Sequence, residues 1–209
     1  MPALDKLIEI SGPGLIPMFP DGAGLKEYGA IGEELEALLR RRNGFFAFES
    51  ALHVFPLGLA DGVIDLLTWN AKSTWRETYS GQMDGCLVFA EDAFGFPFCV
   101  EDGGIATCDA ETGERKPLAT SLEDWAGRLL VDWRHLTGQP VAHEWQVRFG
   151  PLQARQRLAP RQPFVLGGDF TVENLYAEDA VELMRFRGML ATQIRDLPEG
   201  AHVRLKVTD

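Results

Sequence analysis

The chain of 209 residues, 45% hydrophobic, 10% aromatic and 24% charged, carries enough Leu, Phe, Val and Trp to bury one sizeable core. Disorder and a disulfide-stapled miniprotein are thereby excluded. Its formal net charge of −11 weighs against nonspecific binding to nucleic acid or to anionic membrane, and no apolar run approaches the ~18 residues of a membrane helix.

Asp5 and Glu9 stand where a secretory signal would be basic and then apolar, and Cys86, Cys99 and Cys108 form no CxxC pair. A cytoplasmic protein with free thiols is expected. Ser11 to Gly24 is rich in Gly and Pro and reads as a loop. IGEELEALLRRRNG then sets Ile31, Leu35, Leu38 and Leu39 on one stripe, acids early and arginines late, and stops at Asn43-Gly44. Periodicity, dipole and cap agree on a helix. FFAFESALHVFPLG is expected to enter a sheet, and VIDLLTWN and STWRETYSG to form short helical pieces with Leu66, Leu67, Trp69, Trp75 and Tyr79 mostly inward.

Residues 86–109 give three strand signals, CLVFAED, FPFCVED and GIATCDAE, with Gly95, Gly103 and Gly104 in the turns. A β-meander follows. SLEDWAGRLLVDWRHLTG repeats Leu122, Trp125, Ala126, Leu129, Leu130, Trp133 and Leu136 at helical spacing, starts at a Ser121/Asp124 capping box and ends at Gly138 before Pro140. Beyond it are expected a short WQVRFG helix or turn, a loop with Arg148, Arg155, Arg157 and Arg161, and a PFVLGG strand. A helix from about Glu178 to Arg195 and a terminal AHVRLKV strand complete the series.

The charge is unevenly spread. Residues 1–50 carry net −3, residues 51–114 net −9, and residues 115–209 net +1. A fold that keeps the middle third together would present an acidic face to a basic partner, with Glu77, Asp84, Glu91, Glu101 and Asp102 as the candidate exposed contributors. Acidic loops that serve solubility are the plainer reading of the same pattern.

Catalytic signatures are missing. There is no GxSxG, the cysteines fall in strands, and His53, His135, His143 and His202 lack zinc spacing, so neither a catalytic residue nor a metal or cofactor site is expected. GAGLKEYG lacks the Lys-Ser/Thr of a phosphate loop. Adjacent acids such as Glu91-Asp92 and Glu101-Asp102 point to opposite faces of a strand and chelate nothing unless two strand ends converge. Asp92, three residues before Gly95, can instead accept backbone N–H bonds from the turn it starts.

Taken together, NGFFAFESALHVFP, the FAEDAFGFPFCV block, the DAETGE turn, the SLEDWAGRLL helix and RLAPRQPFVLGGDF resemble the SUKH superfamily, in order from about Leu35 onward. That superfamily joins bacterial immunity proteins to a fungal cell-wall assembly regulator. The Asn43-Gly44 helix end, the Asp92-x-x-Gly95 turn and the Trp125 helix carry the likeness. The resemblance implies a single α+β domain over residues 31–209, with a central, mainly antiparallel sheet wrapped by helices and a Gly/Pro-rich extension at residues 1–30. It also implies a non-enzymatic role: binding and blocking a cognate secreted protein toxin, frequently a nuclease, without contact to nucleic acid or membrane. A scaffold that binds a protein without neutralising it, and a metal enzyme using Glu91, Asp92, Glu101 and Asp102, are the alternatives.

Overall fold

The computed structural model describes residues 1–20, 24–101, 103–198 and 201. It is an α+β protein built on a six-stranded antiparallel sheet whose strands neighbour one another in chain order: β1 (Phe45–Ala47), β2 (Leu52–Val54), β3 (Leu87–Asp92), β4 (Pro97–Glu101), β5 (Gly104–Cys108) and β6 (Arg115–Ala119). The expected meander is β3 to β5. The AED end of β3 meets a tight turn, and after the expected DAETGE turn β6 extends the meander by one strand that the sequence pattern does not predict. Pro117 suits β6 because an edge strand leaves one row of N–H groups unpaired. Pro97 opens the interior strand β4, where it pairs with Glu91 but has no partner on β5.

All six residues of β3 are buried, so both sheet faces are covered and the run CLVFA reads as continuously apolar for that reason. One face receives α4 (Leu122–Thr137), whose Trp125 lies edge-on to Phe89 and Phe98 at 5.0 and 5.7 Å. Ser121 caps this helix by accepting from the Asp124 N–H at 3.1 Å. The other face is covered by α3 (Leu66–Asn70), a single 3-10 turn at Arg76–Tyr79 and α6 (Ala180–Ile194), with the Tyr79 hydroxyl donating to the Ala110 carbonyl at 2.6 Å. Helix α2 (Gly29–Arg41) packs Ile31, Leu35, Leu38 and Leu39 into the same core. Asn43, at its end, holds three backbone groups: the Met18 and Leu57 carbonyls and the Leu57 N–H. Gly44 packs against Pro56 beside it.

Four expectations change, the first being Leu67, which is 53% exposed on α3 rather than inward, because only Leu66 and Trp69 of that short helix face the sheet. Residues 1–30 are not a separate extension: Ala3–Ile10 forms α1, which packs on α4, and Leu7 and Leu25 are fully buried in the main core. PFVLGG is not a strand but a 3-10 turn at Phe164–Leu166, because Pro163 and the left-handed Gly167 close it on both sides. Arg148 and Arg157 are not loop residues: Arg148 lies in the last turn of a helix over Gln139–Phe149, and Arg157 sits in β7 (Gln156–Pro160), which pairs with β8 (Leu175–Asp179) as a separate two-stranded sheet. The last long helix is found as expected, over Ala180–Ile194, with Asp179 accepting from the Val181 and Glu182 N–H groups and the residues before it extending as β8. The WQVRFG segment lies in the longer helix α5 (Gln139–Phe149), which Pro140 opens, where a missing N–H costs nothing. The expected AHVRLKV strand lies outside the described residues. No helix among the described residues is long and apolar enough to cross a membrane.

Candidate functional site

The turn Asp92-Ala93-Phe94-Gly95 is where the two sheets and two helices meet. Asp92 Oδ1 accepts from the Phe94 and Phe96 N–H groups, both at 2.8 Å, so the side chain folds the turn around itself. The Ala93 carbonyl then accepts from the Leu158 N–H of β7 at 2.9 Å, and the Phe94 carbonyl from Arg187 Nη1 of α6 at 2.5 Å. Gly95 has φ +78°, and a Cβ there would face Arg187, Arg157 and Glu91 at 3.4 to 3.7 Å. The position thus requires left-handed backbone and leaves little room for a side chain.

Beneath the turn lies a node of buried charge. Glu91 Oε1 is 2.6 Å from Arg157 Nη2 and 3.1 Å from His53 Nδ1, and these three residues are 1%, 1% and 5% exposed. Burial alone would push the Glu91 carboxyl up; Arg157 and His53 together outweigh it and hold Glu91 below the ordinary carboxylate range. His53 is pushed down to about 4, chiefly by burial, against the pull of Glu91. Its ring is neutral at physiological pH and packs between Phe46 and Phe55, at 4.5 and 4.4 Å. A second buried pair, Arg187 and Glu111 at 3.7 Å, lies in the same layer, with Glu111 Oε2 accepting from the Val165 N–H at 2.8 Å. Burial raises the Glu111 carboxyl even beside Arg187.

On the outer side of the turn is an aromatic groove. Phe164 and Phe170 stack at 3.7 Å, and Phe94 meets both edge-on. Phe94 in turn sits on Gly138, where any Cβ would come within 2.1 Å of its ring. One arm of the groove, about 390 Å³, runs between Asp92, Phe94, Phe96, Arg134, Val141 and Phe170. The other, about 360 Å³, passes Phe98, Asp109, Glu114, Lys116, Leu118 and Leu136. Asp92, Phe96, His135 and Phe170 line both. Phe170 is 52% exposed. An apolar floor with a few charged groups at the rim is the usual make-up of a binding site.

The structure separates the acids that the sequence grouped. Glu77 is exposed on the 3-10 turn beside α6, and Asp84 is exposed just before β3. Glu101 is half-buried and paired with Arg115 at 3.1 Å, while Arg115 also donates to the Asp84 carbonyl. Glu91 is not a surface contributor: it is inside, because the C-terminal third supplies Arg157 as its counter-charge. Asp102 lies outside the described residues. Of the remaining acids of the middle third, Asp65, Asp92 and Glu111 are also buried. Four acids of the middle third are thus interior, while Asp61, Glu77, Asp84, Asp109 and Glu114 are exposed. Asp61, Asp109 and Glu114 are exposed acids outside the expected set, the last two at the groove rim.

The carboxylates proposed for a metal enzyme do not converge. Glu91 pairs with Pro97 at one end of β4 and Glu101 with Gly104 at the other, roughly 13 Å along the strand. Among the described residues no group of three or more His, Cys, Asp or Glu side chains is placed to hold a metal ion. Cys86, Cys99 and Cys108 are free and buried. Arg76 and Arg115 lie near Cys86, whose thiol is lowered to about 6, chiefly by its contact with Cys99.

No family model matches the chain, and no curated protein matches it. Among solved structures, the chain is similar to the crystal structure of Atu4351 from Agrobacterium tumefaciens. The TM-score is 0.60 at 16% sequence identity, over 87% of this chain and 86% of that one. The fold is shared across nearly the whole length of both proteins.

Proposed function

We propose that this protein is a non-enzymatic binding protein of the bacterial immunity type, which captures a basic protein toxin, a nuclease being the foremost class, and neutralises it in the cytoplasm. The observation that carries the reading is the aromatic groove with a buried carboxylate at its floor and acids at its rim, on a chain of net charge −11. A nuclease gathers polyanionic substrate in a basic cleft, and an acidic inhibitor suits that cleft in sign and speeds the encounter. His53 and Glu91, the pair with the chemistry of a general acid and base, are engaged with Arg157 and border only a small apolar cavity of about 20 Å³ beside Phe46, Phe55 and Trp69, room for no more than a water, which supports a binding role over a catalytic one. The likeness of the Asp92-x-x-Gly95 turn and the Trp125 helix to the SUKH superfamily supports the same reading, as do three free cysteines for a reducing compartment.

The test is co-expression with neighbouring open reading frames. A neighbour that stops growth alone, is tolerated with this protein and co-purifies with it one-to-one is the expected result. A co-purifying partner with no toxicity would favour the scaffold reading, and turnover by the purified protein would end the non-enzymatic one.

A further inference from the structure

Asp92 has more capacity than its turn uses. The residue is 8% exposed, its Oδ1 is saturated by two backbone N–H groups, and its Oδ2 accepts no hydrogen bond among the described residues. No Lys, Arg or His nitrogen among them lies within 4.0 Å of it, unlike Glu91 and Glu111 one layer below. A buried carboxylate with no counter-ion in contact is costly, and its carboxyl is pushed up to about 7 by burial, against both backbone hydrogen bonds and the Arg187 guanidinium behind the turn. Asp92 borders both arms of the groove, and the Phe94, Phe96 and Phe170 rings border it with them. Aromatic faces beside a desolvated carboxylate favour a flat, weakly hydrated cation over a compact ammonium. Phe96 already takes one such cation: the Arg187 guanidinium lies 4.8 Å from its ring centroid, from within the protein.

We propose that the groove at Asp92 receives an arginine side chain of a partner protein, the guanidinium paired with Asp92 Oδ2 and stacked on the Phe96 and Phe170 rings. This rests on the partner being a basic protein, as proposed above. The groups facing the groove divide by sign. Asp109 and Glu114 at the rim favour a cation, and Lys116 is held 3.8 Å from Glu114. Arg134 is turned onto Trp133, with its guanidinium 5.2 Å from that ring. His135 lines both arms, and Arg187 and Glu91 lie behind the turn.

The probe is N-acetyl-arginine methylamide, titrated into the full-length protein at pH 8, where an ordinary histidine is neutral. The readouts are the Gly95 and Phe96 amide resonances and the pH midpoint of the Asp92 carboxyl. Saturable shifts are expected, at least tenfold weaker with the neutral isostere N-acetyl-citrulline methylamide and with Asp92→Asn, which keeps the turn's acceptor. The probe should also move the Asp92 midpoint downward, since it binds the ionised form. Phe170→Ala, at an exposed position, should weaken binding without unfolding the chain. No saturation, equal binding of the citrulline compound, or an unaffected Asp92→Asn variant would overturn the proposal. Such a failure beside intact toxin neutralisation removes only the arginine seat; saturation in a protein that neutralises nothing upholds the seat and removes only the immunity reading.

Discussion

Glu91 and Asp92 are neighbours on one strand and belong to two different regions. Below the sheet end, Glu91 sits in a layer where each buried acid has a buried arginine, and where those arginines come from β7 and α6. Above it, Asp92 faces a groove of rings and has only backbone donors. A buried pair holds segments in one arrangement, because removing either partner strands the other in low dielectric. A buried acid without a counter-ion leaves a charge to be matched from outside. The first region is thus built to fix the fold, and the second is suited to recognition.

The largest expected effect breaks the paired region. Arg187→Ala removes the partner of Glu111 and the donor to Phe94, and should cost about 3–5 kcal/mol in urea unfolding. Replacing Glu91 and Arg157 together by Gln and Met should cost less than Arg157→Ala alone, since no lone charge is left.

The pH profile separates the regions next. The Asp92 carboxyl goes from an ordinary 3.8 to about 7, so between these values the folded chain keeps a proton that the unfolded chain has lost. Asp92 therefore makes stability fall as pH rises through that window. His53, lowered from 6.5 to about 4, acts oppositely: the unfolded chain takes the proton first, and stability falls as pH drops from 6.5 to about 4. Asp92→Asn should remove the first slope and keep the second. Its stability relative to the parent should climb with pH between 4 and 7, by no more than about 1.4 kcal/mol per pH unit. Parallel profiles for the two proteins would place Asp92 in a solvated setting.

A smaller effect distinguishes turn from charge. Asp92→Ala removes the acceptor of two N–H groups and should cost on the order of 1–2 kcal/mol more than Asp92→Asn, read from urea midpoints at pH 5, where the parent carboxyl is protonated. The smallest concerns the rim. Reversing Asp109 and Glu114 to Lys should slow association with a basic partner several-fold at low salt and flatten its salt dependence, with dissociation little changed, in surface-based kinetics. Reversing Glu123 and Asp124 should leave association as it was and weaken the start of α4, where Asp124 accepts from the Thr120 N–H.

The main sheet was legible because its signals are local. Gly95 and Gly103 mark turns, Ser121 marks a helix start, and the apolar run of β3 needs no partner to be recognised. The second region was not, because its signals act over long range. Arg157 reads as a loop arginine until Glu91 is placed beneath it, and an acid on a strand covered on both faces has no solvent side for alternation to reveal. The −9 of residues 51–114 was visible, but whether a carboxylate faces water or an arginine depends on contacts that composition does not encode. The groove did leave a trace. Phe94, Phe96 and Phe170 are large rings next to turn residues, a setting where a purely structural position is seldom aromatic.

The paired charges also bear on the order in which the chain is made. Arg157 follows Glu91 by 66 residues, and Arg187 follows Glu111 by 76. While the protein is being synthesised, the meander is complete before either counter-ion has emerged from the ribosome, and until β7 and α6 follow, the face that carries the two acids has no cover. The nascent chain should therefore stay open at the β3 end until α6 has been translated, so that the arginines act as a check on completeness. A chain cut after residue 150 is expected to populate an expanded state at pH 7 and to become more compact in acid, where Glu91 and Glu111 no longer need a partner.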